Sequence, residues 1–324
     1  MKYAYIKILL GVFIGVTVQL YSADQSISKK HHFVIPDLSG DFYSDVEMPA
    51  NTTYHYSKTP FFIAKTPFFG SDLGQTRCQK CLAEIVQPLQ KNNNIITIHG
   101  ISQGSVTAMN YTSKKPENIT GLVLDSPFAS GNSAIHHVMK NIFPRIANCR
   151  GSYYILPYMV RLFLPYYSPG GQQPIYSIEK IPNTTKVIII HSKKDKSVPI
   201  TDAQALYYRL RMQGNQNAYF IQKPGRKHGG LLGDSKRSYT EKEKKALEKE
   251  NLFVCHILNN IPVDPKIKKE YQPNPHQFKP AYDNLIASER KIRAISYGFT
   301  ATTILGIGYI ACRYIPYFSH LPAK

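Results

Sequence analysis

The sequence predicts an α/β fold: a mostly parallel sheet flanked by helices, with a helical lid inserted between two strands. Three observations predict it. Short apolar runs at 95–98, 121–124, 187–190 and 218–221 are β-branched or aromatic and do not alternate with polar residues, so both faces of each strand must be covered. Helical stretches lie between them, and strand followed by helix is the order a parallel sheet needs. Each run also ends in Gly, Pro, Asp or His turn chemistry.

Weaker strand candidates, Val34-Ile35 and the run 61–63, open the body of the chain. Helices are expected at 75–90, 105–113, 202–212 and 241–257. In the last of these Glu241, Glu243, Glu248 and Glu250 interleave with Lys242, Lys244, Lys245 and Lys249, which reads as a solvated, ion-paired face. Residues 132–175 break the rhythm. Ile155, Leu156, Tyr158, Met159, Phe163, Tyr166 and Tyr167 crowd there beside Pro157, Pro165 and Gly170-Gly171, as an insertion over the sheet edge would. Prolines 262, 265, 273, 275 and 280 then make 261–293 read as a linker.

Both ends carry hydrophobic stretches. Residues 1–23 join Lys2 and Lys7 to an uncharged run that finishes in Ser22-Ala23, the pattern of a signal peptide or N-terminal anchor. Residues 294–312 are uncharged between Arg293 and Arg313, and as a helix would span about 29 Å, one hydrocarbon core. Gly298, Thr302 and Gly306 recur at four-residue steps, a face for close helix packing. The expectation is an exported, cell-envelope protein anchored in the membrane through its C-terminal helix.

Composition narrows the class. Of 324 residues 43% are hydrophobic and 19% charged, enough apolar mass for a large core, which excludes a disordered, collagen-like or disulfide-stapled chain. Forty Lys and Arg against 21 Asp and Glu give +19, a charge that favours an anionic neighbour. A nucleic-acid partner is not expected, because no helix-turn-helix, aromatic RNA-binding motif or zinc finger accompanies the charge. Cys78-Gln79-Lys80-Cys81 lacks the second ligand pair of a zinc site and reads as two helix-surface cysteines, so neither metal nor cofactor is expected.

The chemistry concentrates after strand 95–98. There the chain reads His99-Gly100-Ile101-Ser102-Gln103-Gly104-Ser105 and enters a helix, a Gly-x-Ser-x-Gly nucleophile elbow. The flanking glycines let strand and helix approach, and the Gln103 N–H at the helix start points to where an oxyanion would develop. Strand 187–190 runs into His191-Ser192-Lys193-Lys194-Asp195, and strand 218–221 into a loop holding His228. Ser102, Asp195 and His228 thus follow one another in the chain, each beyond a strand. Asp125, after strand 121–124, is a rival acid.

These motifs, with Leu124-Asp125-Ser126-Pro127-Phe128, make residues 31–260 resemble the α/β-hydrolase superfamily, in particular its dienelactone-hydrolase-like and prolyl-oligopeptidase-like serine hydrolases. The resemblance implies an eight-stranded sheet, a lid between the sixth and seventh strands, and hydrolysis of an ester, amide or thioester. It assigns Ser102, His228 and Asp195 the triad roles. The family's second oxyanion N–H follows an early strand, often at a His-Gly pair. Here strand 32–36 leads into Asp37-Leu38-Ser39-Gly40, so Leu38 is the candidate. If that strand is a later one, the hole is incomplete and the chain is an inactive binding protein. The substrate expected is a lipid or small-molecule acyl ester, with a peptide as the alternative. Tyr158 and Phe163 would line its acyl groove, and Lys194, among Lys193, Lys196, Arg226 and Lys227, would meet a negative end.

Overall fold

The computed structural model describes residues 29–35, 52–56, 73–91, 94–115, 117–149, 151–161, 166–225, 228–229 and 239–318 (299–318 as helical backbone). Among them six strands form one parallel sheet: β1 Lys30–Ile35, β2 Thr52–Tyr56, β3 Ile95–Ile101, β4 Ile119–Asp125, β5 Lys186–Ser192 and β6 Ala218–Lys223. Their spatial order is β2-β1-β3-β4-β5-β6, every neighbouring pair parallel. The helices between them are α1 Arg77–Gln90, α2 Gln103–Thr112, α3 Gly131–Ile142, α4 Pro144–Ala147, α5 Ser152–Val160, α6 Pro174–Ser177 and α7 Ile200–Met212. After β6 come α8 Glu241–Leu258, α9 Pro265–Glu270 and α10 Lys279–Phe318.

Burial explains why the strand runs do not alternate. Leu122, Leu124, Val187, Ile189 and Phe220 face one core with Met109 and Leu206. Their neighbours Val123, Ile188, Ile190, Tyr219 and Ile221 face a second core with Phe253 and Val254 of α8. Each such side chain contributes roughly 1.5–3 kcal/mol of transfer free energy, so helices on both faces are required to use the sequence fully. The observed sheet is the mostly parallel, helix-flanked one expected. The candidate strand at 61–63 and the signal or anchor at 1–23 lie outside the described residues. The strand that the sequence did not reveal is β2, Thr-Thr-Tyr-His-Tyr, whose place is set by pairing with β1.

Residues 261–293, expected as a linker, are packed onto the body. Pro265 and Pro280 stand in first helical turns, and Pro275 opens a 3₁₀ turn, positions where the missing N–H of proline costs nothing. Tyr271, Phe278, Leu285 and Ile292 are buried, the Phe220 N–H donates to the Tyr271 carbonyl, and the Tyr207 hydroxyl donates to the Pro273 carbonyl. Three of the five prolines that looked like spacer punctuation, Pro265, Pro275 and Pro280, are helix starts.

The stretch expected to span a membrane, 294–312, is the continuation of α10. Among the described residues no helix is long and apolar enough to cross a membrane.

Candidate active site

The C-terminal edge of the sheet gathers the chemistry. β3 ends in Ile101, and Ser102 makes the turn into α2 with φ 52° and ψ −114°, a conformation unfavourable for any residue with a Cβ. The turn is held because the Ser102 N–H donates to the Asp125 carbonyl at 2.8 Å and the Ser105 hydroxyl donates to the Gly100 carbonyl at 2.6 Å. Gly100 is obligatory here: a Cβ on it would meet the Gly104 carbonyl and the Ser105 nitrogen at 2.4 Å. The strained turn lifts the Ser102 hydroxyl out of the sheet at the start of α2.

The other two residues arrive from neighbouring loops. His228 Nε2 lies 2.8 Å from Ser102 Oγ, and His228 Nδ1 lies 2.7 Å from Asp195 Oδ2. Asp195 closes a tight loop in which its Oδ1 accepts from the N–H groups of Ser197 (2.7 Å) and Val198 (3.0 Å). Burial alone would raise this carboxyl. The hydrogen bond and charge of His228, with the Val198 N–H, outweigh burial and hold it below the ordinary value of 3.8. An ionised acid facing Nδ1 fixes the tautomer that leaves Nε2 free to accept the serine proton.

A nucleophile elbow, with acid and histidine on the loops after β5 and β6 of one parallel sheet, decides the architecture. The chain carries the α/β-hydrolase fold. The prolyl oligopeptidase family model matches residues 166–252, about a quarter of the chain, a span that includes Asp195 and His228 but not Ser102. Solved structures to which the chain is similar include an esterase of Pyrococcus furiosus, 14% identical over 73% of this chain and 84% of that one, TM-score 0.45. A carboxyl esterase of Bacillus coagulans is 13% identical over 71% and 91%, TM-score 0.41. The acylaminoacyl peptidase of Pyrococcus horikoshii is 14% identical over 70% of this chain and 37% of that one, TM-score 0.45. No curated protein sequence matches.

The remaining expected residues fall out as follows. Gln103 is the first residue of α2, where a backbone N–H has no acceptor within the helix. Ile35, the last residue of β1, pairs with Gly100, so the hydrolase sheet delivers its early strand beside the elbow. Leu38, three residues on, lies outside the described residues, as do Phe163, Arg226 and Lys227. Lys194 is exposed beside Asp195, its backbone N–H donating to the Gly225 carbonyl at 3.2 Å. Tyr158 is fastened elsewhere: its hydroxyl donates to the Ile292 carbonyl of α10 at 2.9 Å and meets Ser296. It joins the lid to the C-terminal helix, a contact invisible without the docking of that helix.

Asp125, the rival acid, is fully buried, with its Oδ1 accepting from the Ser126 hydroxyl at 2.9 Å; Asp195 holds the imidazole. Cys78 is a correction: it is buried rather than on the helix surface, and its Sγ accepts from the Gln103 side-chain amide at 3.0 Å. Sequence reasoning also missed His191, which burial pushes down to about 4. It is neutral near pH 7, and at 3.6 Å from Asp195 Oδ2 it forms no ion pair, donating instead to the Val198 carbonyl at 3.2 Å.

Proposed function

We propose that the chain is a serine hydrolase that cleaves an acyl ester through Ser102, His228 and Asp195. The observation that carries this is the unbroken pair of short contacts Ser102–His228–Asp195 on a strained elbow. Serine is a weak nucleophile until a base removes its proton. His228 Nε2 takes that proton as Ser102 Oγ attacks the carbonyl carbon. The Gln103 N–H, backed by the positive end of α2, faces the oxygen that becomes negative. The imidazolium then protonates the leaving group, Asp195 steadying its charge. Water repeats the cycle on the acyl-serine and restores the enzyme.

The ester reading is supported by the rim. Lys193, Lys194 and Lys196 on the acid loop are exposed around the triad, a setting for a substrate with a negative end or for an anionic surface. The match to the prolyl oligopeptidase family favours a second reading, an acyl-peptide substrate cleaved by the same triad. Turnover of p-nitrophenyl esters of increasing chain length, set beside an N-acyl peptide amide and repeated with anionic vesicles at low and high salt, separates the two. The ester reading expects faster turnover of the longer esters, a salt-sensitive gain with vesicles, and a several-fold loss of that gain in Lys194→Ala. Preferential cleavage of the amide, or a flat profile indifferent to vesicles and salt, contradicts it.

A further inference from the structure

Two serines on this edge share a positive φ. Ser102 directly follows β3 with φ 52°, and Ser126, one strand over, directly follows β4 with φ 52°. The first is strained so that its hydroxyl can react. The second is fully buried, and its backbone N–H donates to the Ile190 carbonyl of β5 at 2.8 Å. Positive φ favours glycine, so a serine there keeps its hydroxyl at a conformational cost. The hydroxyl is occupied on both sides. It donates to Asp125 Oδ1 at 2.9 Å and accepts the Gly229 N–H at 2.9 Å.

Gly229 is the residue directly after His228. Its φ is +68°, and a Cβ there would meet Ile101 Cγ2 at 2.9 Å, so its backbone lies against the end of the nucleophile strand. The imidazole is bonded at its two ring nitrogens by Asp195 and Ser102. Those bonds orient the ring but do not by themselves fix where the loop holds it. The Gly229 N–H sits in the peptide unit joined to His228, and Ser126 holds that unit to the sheet.

We propose that Ser126 is a positioning residue of the hydrolase: its hydroxyl, steadied by Asp125, pins the peptide after His228 so that Nε2 stays within reach of Ser102. This rests on the triad reading above. Asp125 therefore serves the catalytic histidine through its backbone rather than its ring. Lys223 of β6 lies within electrostatic reach of Asp125.

The test uses the full chain with Ser126→Gly, Ser126→Ala and Ser102→Ala, measuring kcat and KM on the best p-nitrophenyl ester and Tm on the same samples. Ser126→Gly removes the hydroxyl while relieving the positive φ. The expectation is a folded chain with a Tm a few degrees from that of the wild type, the relieved φ offsetting part of the two lost hydrogen bonds, with kcat lowered about 100-fold by a misplaced base and KM little changed. Ser126→Ala should lose kcat similarly. A Ser126→Gly chain with wild-type kcat, or one whose loss of activity is accounted for by unfolding, overturns the proposal. Wild-type turnover in Ser102→Ala removes the triad reading itself, and with it the role of Ser126.

Discussion

Two groups of buried carboxyls lie near the C-terminal edge of the sheet, and burial acts on them with opposite results. Asp195 faces an imidazole and two loop N–H groups, and its carboxyl is held below the ordinary value. Asp202, at the start of α7, and Glu289, on α10, are buried more deeply. Asp202 accepts from the Ser133 hydroxyl and the Ala129 N–H, and Glu289 from the Ser130 hydroxyl and the Asn132 amide. Burial pushes both up to about 7, because hydroxyls and amides repay only part of the lost hydration, and the charge of Asp202 adds to the rise at Glu289. What a carboxyl faces, more than how deep it lies, decides its charge. One region holds an ionised acid beside the reacting groups; the other holds carboxyls whose proton affinity reaches the neutral range.

The largest expected effect breaks the reactive region alone. Asp195→Asn keeps the shape of the loop but offers His228 Nδ1 no anion and permits the wrong tautomer, so kcat should fall about 10⁴-fold. Steady-state kinetics check this. A loss below tenfold would show that the charge of Asp195 is dispensable and that Asp125 or His191 substitutes for it.

A smaller effect sharpens the other side. Asp202 and Glu289 bind protons more tightly folded than unfolded. Folding therefore takes up protons between their ordinary values, 3.8 and 4.5, and about 7, and stability falls as pH rises through that window. Asp195 works with the opposite sign: its contribution is present above 3.8 and is lost as pH falls through its lowered folded value. Glu289→Gln removes one of the two neutral-range titrations. Its Tm should decline less between pH 5 and pH 8 than that of the wild-type chain, with the acid limb unaltered and ester turnover per folded molecule retained. Parallel Tm profiles would show that Glu289 is ionised throughout.

The two regions also differ in how far the sequence announces them. Gly100, Ser102 and Gln103 are contiguous, and Asp195 and His228 each follow a strand whose unbroken apolar run marks it, so the reactive edge is written in local patterns. The middles of β3 to β6 were legible for the same reason, although each strand runs up to three residues beyond its apolar run. Glu289 is different: its partners Ser130 and Asn132 are more than 150 positions away, and a glutamate among Arg290, Lys291 and Arg293 looks solvated until α10 is folded back. The prolines of 261–293 misled because helix starts and spacers share them. Tyr158 misled because an aromatic residue in an apolar insertion reads as groove lining, whereas its hydroxyl reaches a carbonyl of α10. Ser126 stands in the motif Leu124-Asp125-Ser126-Pro127-Phe128, but its hydrogen bond to Gly229 joins two loops that only the sheet order brings together.

The central claim is that Ser102 is a nucleophile activated by His228. Intact-mass and peptide-mapping analysis of the full chain after treatment with a fluorophosphonate tests it most directly, with Ser102→Ala and His228→Ala treated in parallel. The account predicts one phosphonyl adduct, located on Ser102, absent in Ser102→Ala and strongly slowed in His228→Ala. Adduct formation that persists in Ser102→Ala, or a Ser102 that stays unmodified in a folded wild-type chain, would contradict it.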